Sequence, residues 1–291
     1  MIDLHLHSTY SDGTFSPGEL VRMASRRNLS AISITDHDTI DATEEALSAG
    51  LACGVTIIPG LELSVYHGDF YFHLLGYNYD YRNMKFQKEL ELLQHSRNDR
   101  NRKILEKLGK LGIDISESEL QSVSLEGQTG RPHIARLLVA KKIVKTIDQA
   151  FKYYLKKGAC AYTTRFIFTV QEAVNFIHAA GGLAVLAHPA QITYSIEPLR
   201  RLLGELSGFG LDGVEVYYPS QNGSFRNKLS RIAAQYDLLE TGGSDYHGDI
   251  RSGTSMAGGK GVSVPDSVIE KMNELTQRKS HGYDYEHNSH R

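Results

Sequence analysis

The chain opens with MIDLHLHSTYSDG (residues 1–13), and the reading of the fold starts there. Apolar Ile2, Leu4 and Leu6 alternate with Asp3, His5 and His7. That period of two marks a short strand. Side chains at i and i+2 share one face of a strand, so His5 and His7 project side by side. Asp12 follows in a Ser-Asp-Gly turn. A pair of imidazoles with a carboxylate just beyond it makes the ends of the other strands the place to look next.

Six more β-rich runs follow: AISITD (31–36), TIIPGLELSV (56–65), FYFHLLGYNY (70–79), LAVLAHP (183–189), GVEVYYP (213–219) and LLETGGSD (238–245). Amphipathic helical patterns lie between them. SPGELVRMASRRN has a Ser cap and an early Pro. TVQEAVNFIHAAGG opens on a Thr cap with Glu three residues later and closes on Gly. NGSFRNKLSRIAAQYD is a third. Seven strands alternating with helices predict an α/β fold with a mainly parallel sheet, open or closed into a barrel. Residues 82–158 interrupt the alternation with almost no strand signal, which predicts a helical insertion, a cap, between the fourth and fifth strands. The barrel part is then 1–81 and 159–276. Residues 277–291 are polar and non-periodic and read as a disordered tail.

Composition narrows the function classes. Of 291 residues, 41% are hydrophobic, enough for a sizeable core, and the formal net charge of -2 argues against bulk electrostatic capture of long nucleic acid or a membrane. Cys53 and Cys160 supply neither a disulfide framework nor a Cys-rich metal site. There is no signal-peptide pattern and no run of about 18 apolar residues. The expectation is a cytoplasmic protein with no membrane association and no obligate protein partner.

Polar residues collect at the strand ends. His5, His7 and Asp12 follow the first strand; Asp36, His37 and Asp38 the second; Glu62 lies in the third and His73 in the fourth; His188 ends the fifth; Asp245 and His247 end the seventh. Each has an ordinary alternative: a satisfied core histidine, a helix cap, a turn residue, a surface carboxylate. Together they fall at the end of the strands that carries active sites in parallel α/β folds. Imidazoles and carboxylates crowded at one mouth desolvate one another unless cations hold them. Without cysteine, the donors suit zinc, manganese or iron. They are too many for one tetrahedral site, so two or three divalent ions are expected.

In order, DLHLHSTYSDG, SITDHDT, GLELS, HLLGY, LAHP and GGSDYHG resemble the PHP (polymerase and histidinol phosphatase) family. The insertion with GRPHIA resembles its TrpH- and RNase AM-like nucleoside 3′,5′-bisphosphate phosphatase subfamily. The resemblance covers nearly the whole chain and implies a distorted (β/α)7 barrel with a trinuclear centre, manganese first among its metals. It implies that His5, His7, Glu62 and Asp245 hold one ion. Glu62 bridges to a second, joined by His73 and His188, and Asp12, His37 and His247 hold the third. Some members have a histidine where Asp12 stands. Asp36 would orient a ligating imidazole.

Such a centre suits hydrolysis of phosphate monoesters. Asp245 and His247 are the candidates for serving the leaving group. In GQTGRPHIARLL, Pro132 in the first turn of a helix would leave Arg131 and His133 at an anion-binding helix start. Arg97 and Arg100 share a helix face. With Arg102 they read chiefly as solvated. Tyr217 or Tyr218 could stack on a base or belong to the core. The leading expectation is a phosphatase acting on a small phosphorylated nucleotide, a nucleoside 3′,5′-bisphosphate in its sharpest form. A 5′–3′ exonuclease on short RNA or DNA oligonucleotides, a histidinol-phosphate phosphatase and a non-catalytic metal-binding module are the alternatives.

Overall fold

The computed structural model describes residues 1–124, 127–250, 254–257 and 263–288. In chain order the elements are β1 (Ile2–Leu6), α1 (Pro17–Arg26), β2 (Ala31–Ile34), α2 (Thr43–Cys53), β3 (Thr56–Ile57), β4 (Gly60–His67), β5 (Phe70–Tyr77), α3 (Met84–Lys110), α4 (Glu117–Ser122), α5 (Arg131–Ala140), α6 (Ile147–Ala150), β6 (Phe168–Thr169), α7 (Val170–Ala179), β7 (Leu183–Leu186), α8 (Ile196–Gly208), β8 (Gly213–Tyr217), α9 (Gly223–Gln235), β9 (Leu239–Gly242) and α10 (Ser267–Asn288). A π-helical turn, Phe151–Leu155, continues α6.

The strands form two sheets, β1-β2-β3 and β6-β4-β5-β7-β8-β9. The small sheet is parallel. The large one is mixed, because β4 and β5 form an antiparallel hairpin and β5 is antiparallel to β7. Five of the seven pairings are parallel, as the alternation of strands and helices predicts, the hairpin and the β5–β7 pairing being the exceptions, and among the described residues no closed sheet forms. TIIPGLELSV also divides: Pro59 has no N–H to continue a ladder, so β3 pairs with β2 while β4 starts a new sheet at Gly60. The short β6, within an irregular stretch, had no periodic signal. Nine strands therefore replace seven among the described residues.

Single bridges span the two seams between the sheets. His37 bridges to Glu62, and Leu6 bridges to Tyr246. Both seams carry candidate ligands, for Leu6 lies between His5 and His7 and Tyr246 between Asp245 and His247. Asp38 and Asp245 take positive φ (55° and 51°), as does His188 (29°). The chain leaves regular pairing where it presents these side chains, which is why the sheets do not fuse. Backbone held in this region is found at functional sites. Gly243 lets the end of β9 pass against β1: an added Cβ would lie 2.3 Å from the Cβ of His5.

Apolar residues divide into three clusters. Leu63, Val65, Leu74 and Leu186 of the large sheet pack against α3, α7, α8 and α9. Ile2, Leu4, Ile32, Leu75 and Tyr77 pack with α1, α2 and the first turns of α10. A third cluster, with Ile104, Leu108, Ile134, Leu138 and Leu155, lies within the inserted segment. The long helix α3 joins the first and third, burying Phe86, Leu90 and Leu93 in one and Ile104 and Leu108 in the other. Helix α10 continues to Asn288, where composition suggests irregular chain from 277. Val268 and Met272 anchor it in the core, and a nucleated helix propagates at small cost per residue. Residues 289–291 lie outside the described set. No helix among the described residues is long and apolar enough to cross a membrane.

Candidate metal centre and anion cleft

The strand ends bring nine donors together: His5 and His7 from β1, Asp12 from the following turn, His37 after β2, Glu62 from β4, His73 from β5, His188 after β7, and Asp245 and His247 after β9. Their ligand atoms fall into four overlapping sets, each within 4.8 Å: His7, Asp12, His37 and His247; His5, His7 and Asp245; His5, Glu62 and His188; His37, Glu62 and His73.

Glu62 is the pivot. Its Oε2 lies 3.4 Å from His5 Nε2, 3.1 Å from His7 Nε2 and 3.2 Å from His37 Nδ1. Its Oε1 lies 2.7 Å from His73 Nδ1 and 2.9 Å from His188 Nε2. Asp245 Oδ1 completes the first group at 3.5 and 3.3 Å from the same His5 and His7 nitrogens. Asp12 stands 3.4 Å from His247 Nε2 and 3.9 Å from His37 Nε2. Metal–ligand bonds near 2.1 Å set neighbouring donors roughly 3 to 3.4 Å apart.

Two observations show that the residues fit divalent ions. His5 Nε2, His7 Nε2, His37 Nδ1, His188 Nδ1 and His247 Nε2 are buried without a hydrogen-bond partner, an arrangement proteins avoid. The electrostatics also ask for cations. His5 is driven down by burial, but Glu215, Glu62 and Asp245 outweigh that and hold it well above its ordinary range. His7, pushed down by burial and up by Asp245, Glu62 and Asp12, lies at about 9. Burial opposes charge on Glu62, yet the surrounding histidines hold its carboxyl well below the usual range. His/Asp/Glu clusters of this kind could hold metal ions.

The supporting groups include some that sequence reading missed. Glu215, fully buried on β8, takes His5 Nδ1 at 3.1 Å on one oxygen and accepts the His188 backbone N–H at 2.7 Å on the other. It fixes two ligand segments at once, the usual second layer of a metal site. Its signal was a carboxylate between Val214 and Val216 in a buried strand. Asp3 accepts the backbone N–H groups of His5, Ser244 and Ala257. Tyr218 donates its hydroxyl to Asp245 Oδ2 at 2.8 Å; it is buried and supports a ligand rather than a base. Tyr217 is half-buried, its hydroxyl 3.4 Å from Glu240. Asp36 reaches the site at one remove. It accepts from Ser8 and Ser11, and Ser11 Oγ lies 3.4 Å from His7 Nδ1.

Beside these ligands opens a cleft of about 610 Å³ that Asp12, His37 and His73 share with Arg97, Arg100, Arg131 and Arg165. Arg97 and Arg100 are 8% and 4% exposed, so the solvated-face reading fails for both. Only Arg102 lies outside, paired with Asp99. In α3 the positions 86, 90, 93, 97, 100, 104 and 108 form one stripe, and the two arginines occupy places where leucine would serve the core. Asp38 accepts from Arg97 and from Arg165, the latter at 2.6 Å. Burial works against its charge, but Arg165 and Arg97 hold its carboxyl well below the usual range. Arg100 donates its Nε–H to Asn101 Oδ1 at 3.0 Å and pairs with no carboxylate among the described residues; burial, with Arg97, Arg131 and Arg165 nearby, holds it well below the usual guanidinium range. Arg131, at the start of α5, donates to the Leu155 carbonyl at 3.4 Å. His133 accepts the Gly130 N–H on Nδ1 at 3.1 Å. Burial pushes its pKa down to about 4, so it is neutral with its hydrogen on Nε2. Gln128, in the same cleft, has both amide atoms buried without partners. Arg165 and Gln128 lie in stretches without periodicity and were not singled out from sequence.

The PHP domain family model matches residues 3–160, more than half of the chain, and the chain belongs to that family. It is 35% identical to a Haemophilus influenzae 5′-3′ exoribonuclease over 92% of this chain and 96% of that one. It is 30% identical to a Chromobacterium violaceum 3′,5′-nucleoside bisphosphate phosphatase, over 84% and 87% of the two chains. A Bifidobacterium adolescentis structure described as a metal-dependent phosphoesterase superposes with a TM-score of 0.82 at 29% identity, over 93% of this chain and 94% of that one. The chain is a hydrolase of the phosphoesterase class.

Proposed function

We propose that the chain removes one phosphate from a nucleoside 3′,5′-bisphosphate, leaving a mononucleotide. One observation carries this reading: a carboxylate-imidazole centre and a cluster of four guanidinium groups line the same cleft. Each suits one of two phosphates. His5, His7, Glu62 and Asp245 would hold one ion, Glu62, His73 and His188 a second, and Asp12, His37 and His247 a third, with manganese the favoured metal. When bound, the ions would supply Lewis acidity toward the phosphoryl oxygens and acidify the attacking water. The chain's own residues do the remaining work. Arg131, Arg100 and neutral His133 bind and orient the second phosphate. Asp38 holds Arg97 and Arg165 in place. Asp245 and His247 stand where the ester oxygen departs; the water oxygen bonds to phosphorus, the ester bond breaks, and the departing oxygen takes the proton that the attacking water gives up. The two sheets read as a distorted (β/α)7 barrel opened at its seams, with residues 82–158 as its cap.

The Haemophilus relative supports a second reading, trimming of short oligonucleotides from the 5′ end, in which the arginine cluster takes the 5′ phosphate. Phosphate release from manganese-loaded protein tests the first. A nucleoside 3′,5′-bisphosphate should be hydrolysed at least about tenfold better in kcat/KM than the corresponding 3′-monophosphate, the effect of one charge-assisted contact. Equal rates would remove the two-phosphate reading.

A further inference from the structure

The β4–β5 hairpin carries the metal centre outward to solvent as a ladder. Cross-strand partners in an antiparallel pair put their side chains on the same face. Glu62 pairs with Leu75, Ser64 with His73, and Tyr66 with Tyr71. Leu63, Val65, Phe72 and Leu74, on the other face, are buried in the core. The face that bears Glu62 and His73 therefore ends, one row further out, in two tyrosines. Rows on one face are about 6.6–6.8 Å apart. Tyr66 and Tyr71 line the cleft, and Phe166 joins them there. Their exposures are 36%, 53% and 53%. The two tyrosine rings lie 6.2 Å apart and 31° from parallel. Lys157 places its ammonium 5.1 Å from the centre of the Tyr71 ring.

Large aromatic side chains left open to water beside a functional cleft mark a binding surface. An aromatic face next to cations suits a nucleobase joined to phosphate, since every base has a π-face and stacking is tolerant of its identity. From the ladder we infer that Tyr66 and Tyr71 form the platform on which the base of the substrate's own nucleoside stacks, while its reacting phosphate sits at the metal ligands. This deepens the nucleotide reading above and rests on it. It makes the enzyme sensitive to the presence of a base and nearly indifferent to which base.

Steady-state kinetics on the metal-loaded full chain test the inference, with adenosine 3′,5′-bisphosphate, uridine 3′,5′-bisphosphate and the base-less deoxyribose 3,5-bisphosphate. The wild-type chain should prefer both nucleotides over the base-less ester. Tyr66→Leu and Tyr71→Leu should lower kcat/KM for the nucleotides about 5- to 100-fold, chiefly through KM. The base-less ester should be unaffected, and Tyr→Phe at either position should retain the wild-type value. Metal content and unchanged turnover of the base-less ester certify that the hairpin is folded in the variants. Equilibrium binding of adenosine 3′,5′-bisphosphate to metal-free protein should weaken in the Leu variants. Equal loss on base-less and nucleotide substrates would overturn the platform, as would losses in the Phe variants matching those in the Leu variants. A loss confined to a 5′-phosphorylated dinucleotide would overturn it too, placing the pair under the leaving nucleotide. If the base-less bisphosphate reacts as well as adenosine bisphosphate in the wild type, the platform fails and the two-phosphate reading stands. If neither is bound or hydrolysed, both fall.

Discussion

The metal centre and the arginine cluster share a cleft and are built in opposite ways. The centre hangs from strand ends, so its spacing comes from sheet geometry and its donors are held by buried partners such as Glu215 and Asp3. The arginines come from α3, the start of α5 and the segment before β6, and Asp38 is the carboxylate that accepts from two of them. One region gathers carboxylates and buried imidazole nitrogens without hydrogen-bond partners, the other guanidinium groups. Neither is a low-energy arrangement alone. Under the proposed function this difference becomes a division of labour: the strand ends would fix where the reaction takes place, and the arginines of α3, α5 and the segment before β6 would choose what is brought to it.

The largest effect should come from Glu62→Gln, because both oxygens of Glu62 serve different donor groups. Activity should fall at least about a thousandfold, as expected when charge stabilisation at the reacting centre is removed. Metal content, measured by mass spectrometry, should drop by at least one ion per chain. The stabilisation by added manganese should shrink with it, since ions that bind only the folded state raise Tm. Full activity at the same metal content would break the assignment of this region as the reaction centre.

The arginine side should respond differently. Arg100→Met should cost about 10- to 100-fold in kcat/KM for a bisphosphate, the equivalent of one charge-assisted hydrogen bond. A simple phosphate monoester should be hydrolysed as before, with metal content unchanged. Thermal unfolding should stay level or rise, because a buried cation that pairs with no carboxylate among the described residues is replaced by an apolar chain. A lower Tm with equal losses on both substrates would make the cluster a structural feature.

The two regions also differed in how far they could be read in advance. The convergence of His5 and His7 was legible because a strand's period is two, and that of the other candidate donors because they recur at strand ends. Glu215 was hidden by looking like any strand carboxylate. Arg97 and Arg100 were misjudged because α3 is rich in charge on several sides, and its apolar stripe shows only when Phe86, Leu90, Leu93, Ile104 and Leu108 are aligned with them. Arg165 lies in aperiodic chain, where no local rule applies. The open seams were equally out of reach, since they depend on single bridges and on Asp38 and Asp245 adopting left-handed backbone.

Glu215→Gln sharpens the contrast from the metal side. Glu215 touches ligands and no cleft, so the variant should bind ions about 10- to 100-fold more weakly, the usual cost of losing such a partner. Saturating metal should restore most of kcat, which Glu62→Gln cannot do. Titration of activity against free manganese separates the two. Unrecoverable loss would show that Glu215 acts in the reaction itself.

The smallest effect on chemistry, and a distinct one on stability, is expected for Asp38→Asn. Asparagine tolerates the positive φ that Asp38 adopts, and its amide oxygen can still accept the Ser64 N–H that Asp38 takes at 3.3 Å. What is lost is the negative charge between Arg97 and Arg165. Because those arginines hold the folded carboxyl below its unfolded value near 3.9, the contribution is present above that value. It is lost as pH falls through the folded pKa. The pair is buried, so roughly 1.5–3 kcal/mol is at stake, several degrees in Tm for a chain of this size. The Tm difference between wild type and variant should be constant from pH 8 to pH 5 and should close only in stronger acid. Thermal melts across that range check it. A difference that vanished near pH 6 would assign the stabilisation to a histidine and detach Asp38 from holding the arginine region to the metal centre.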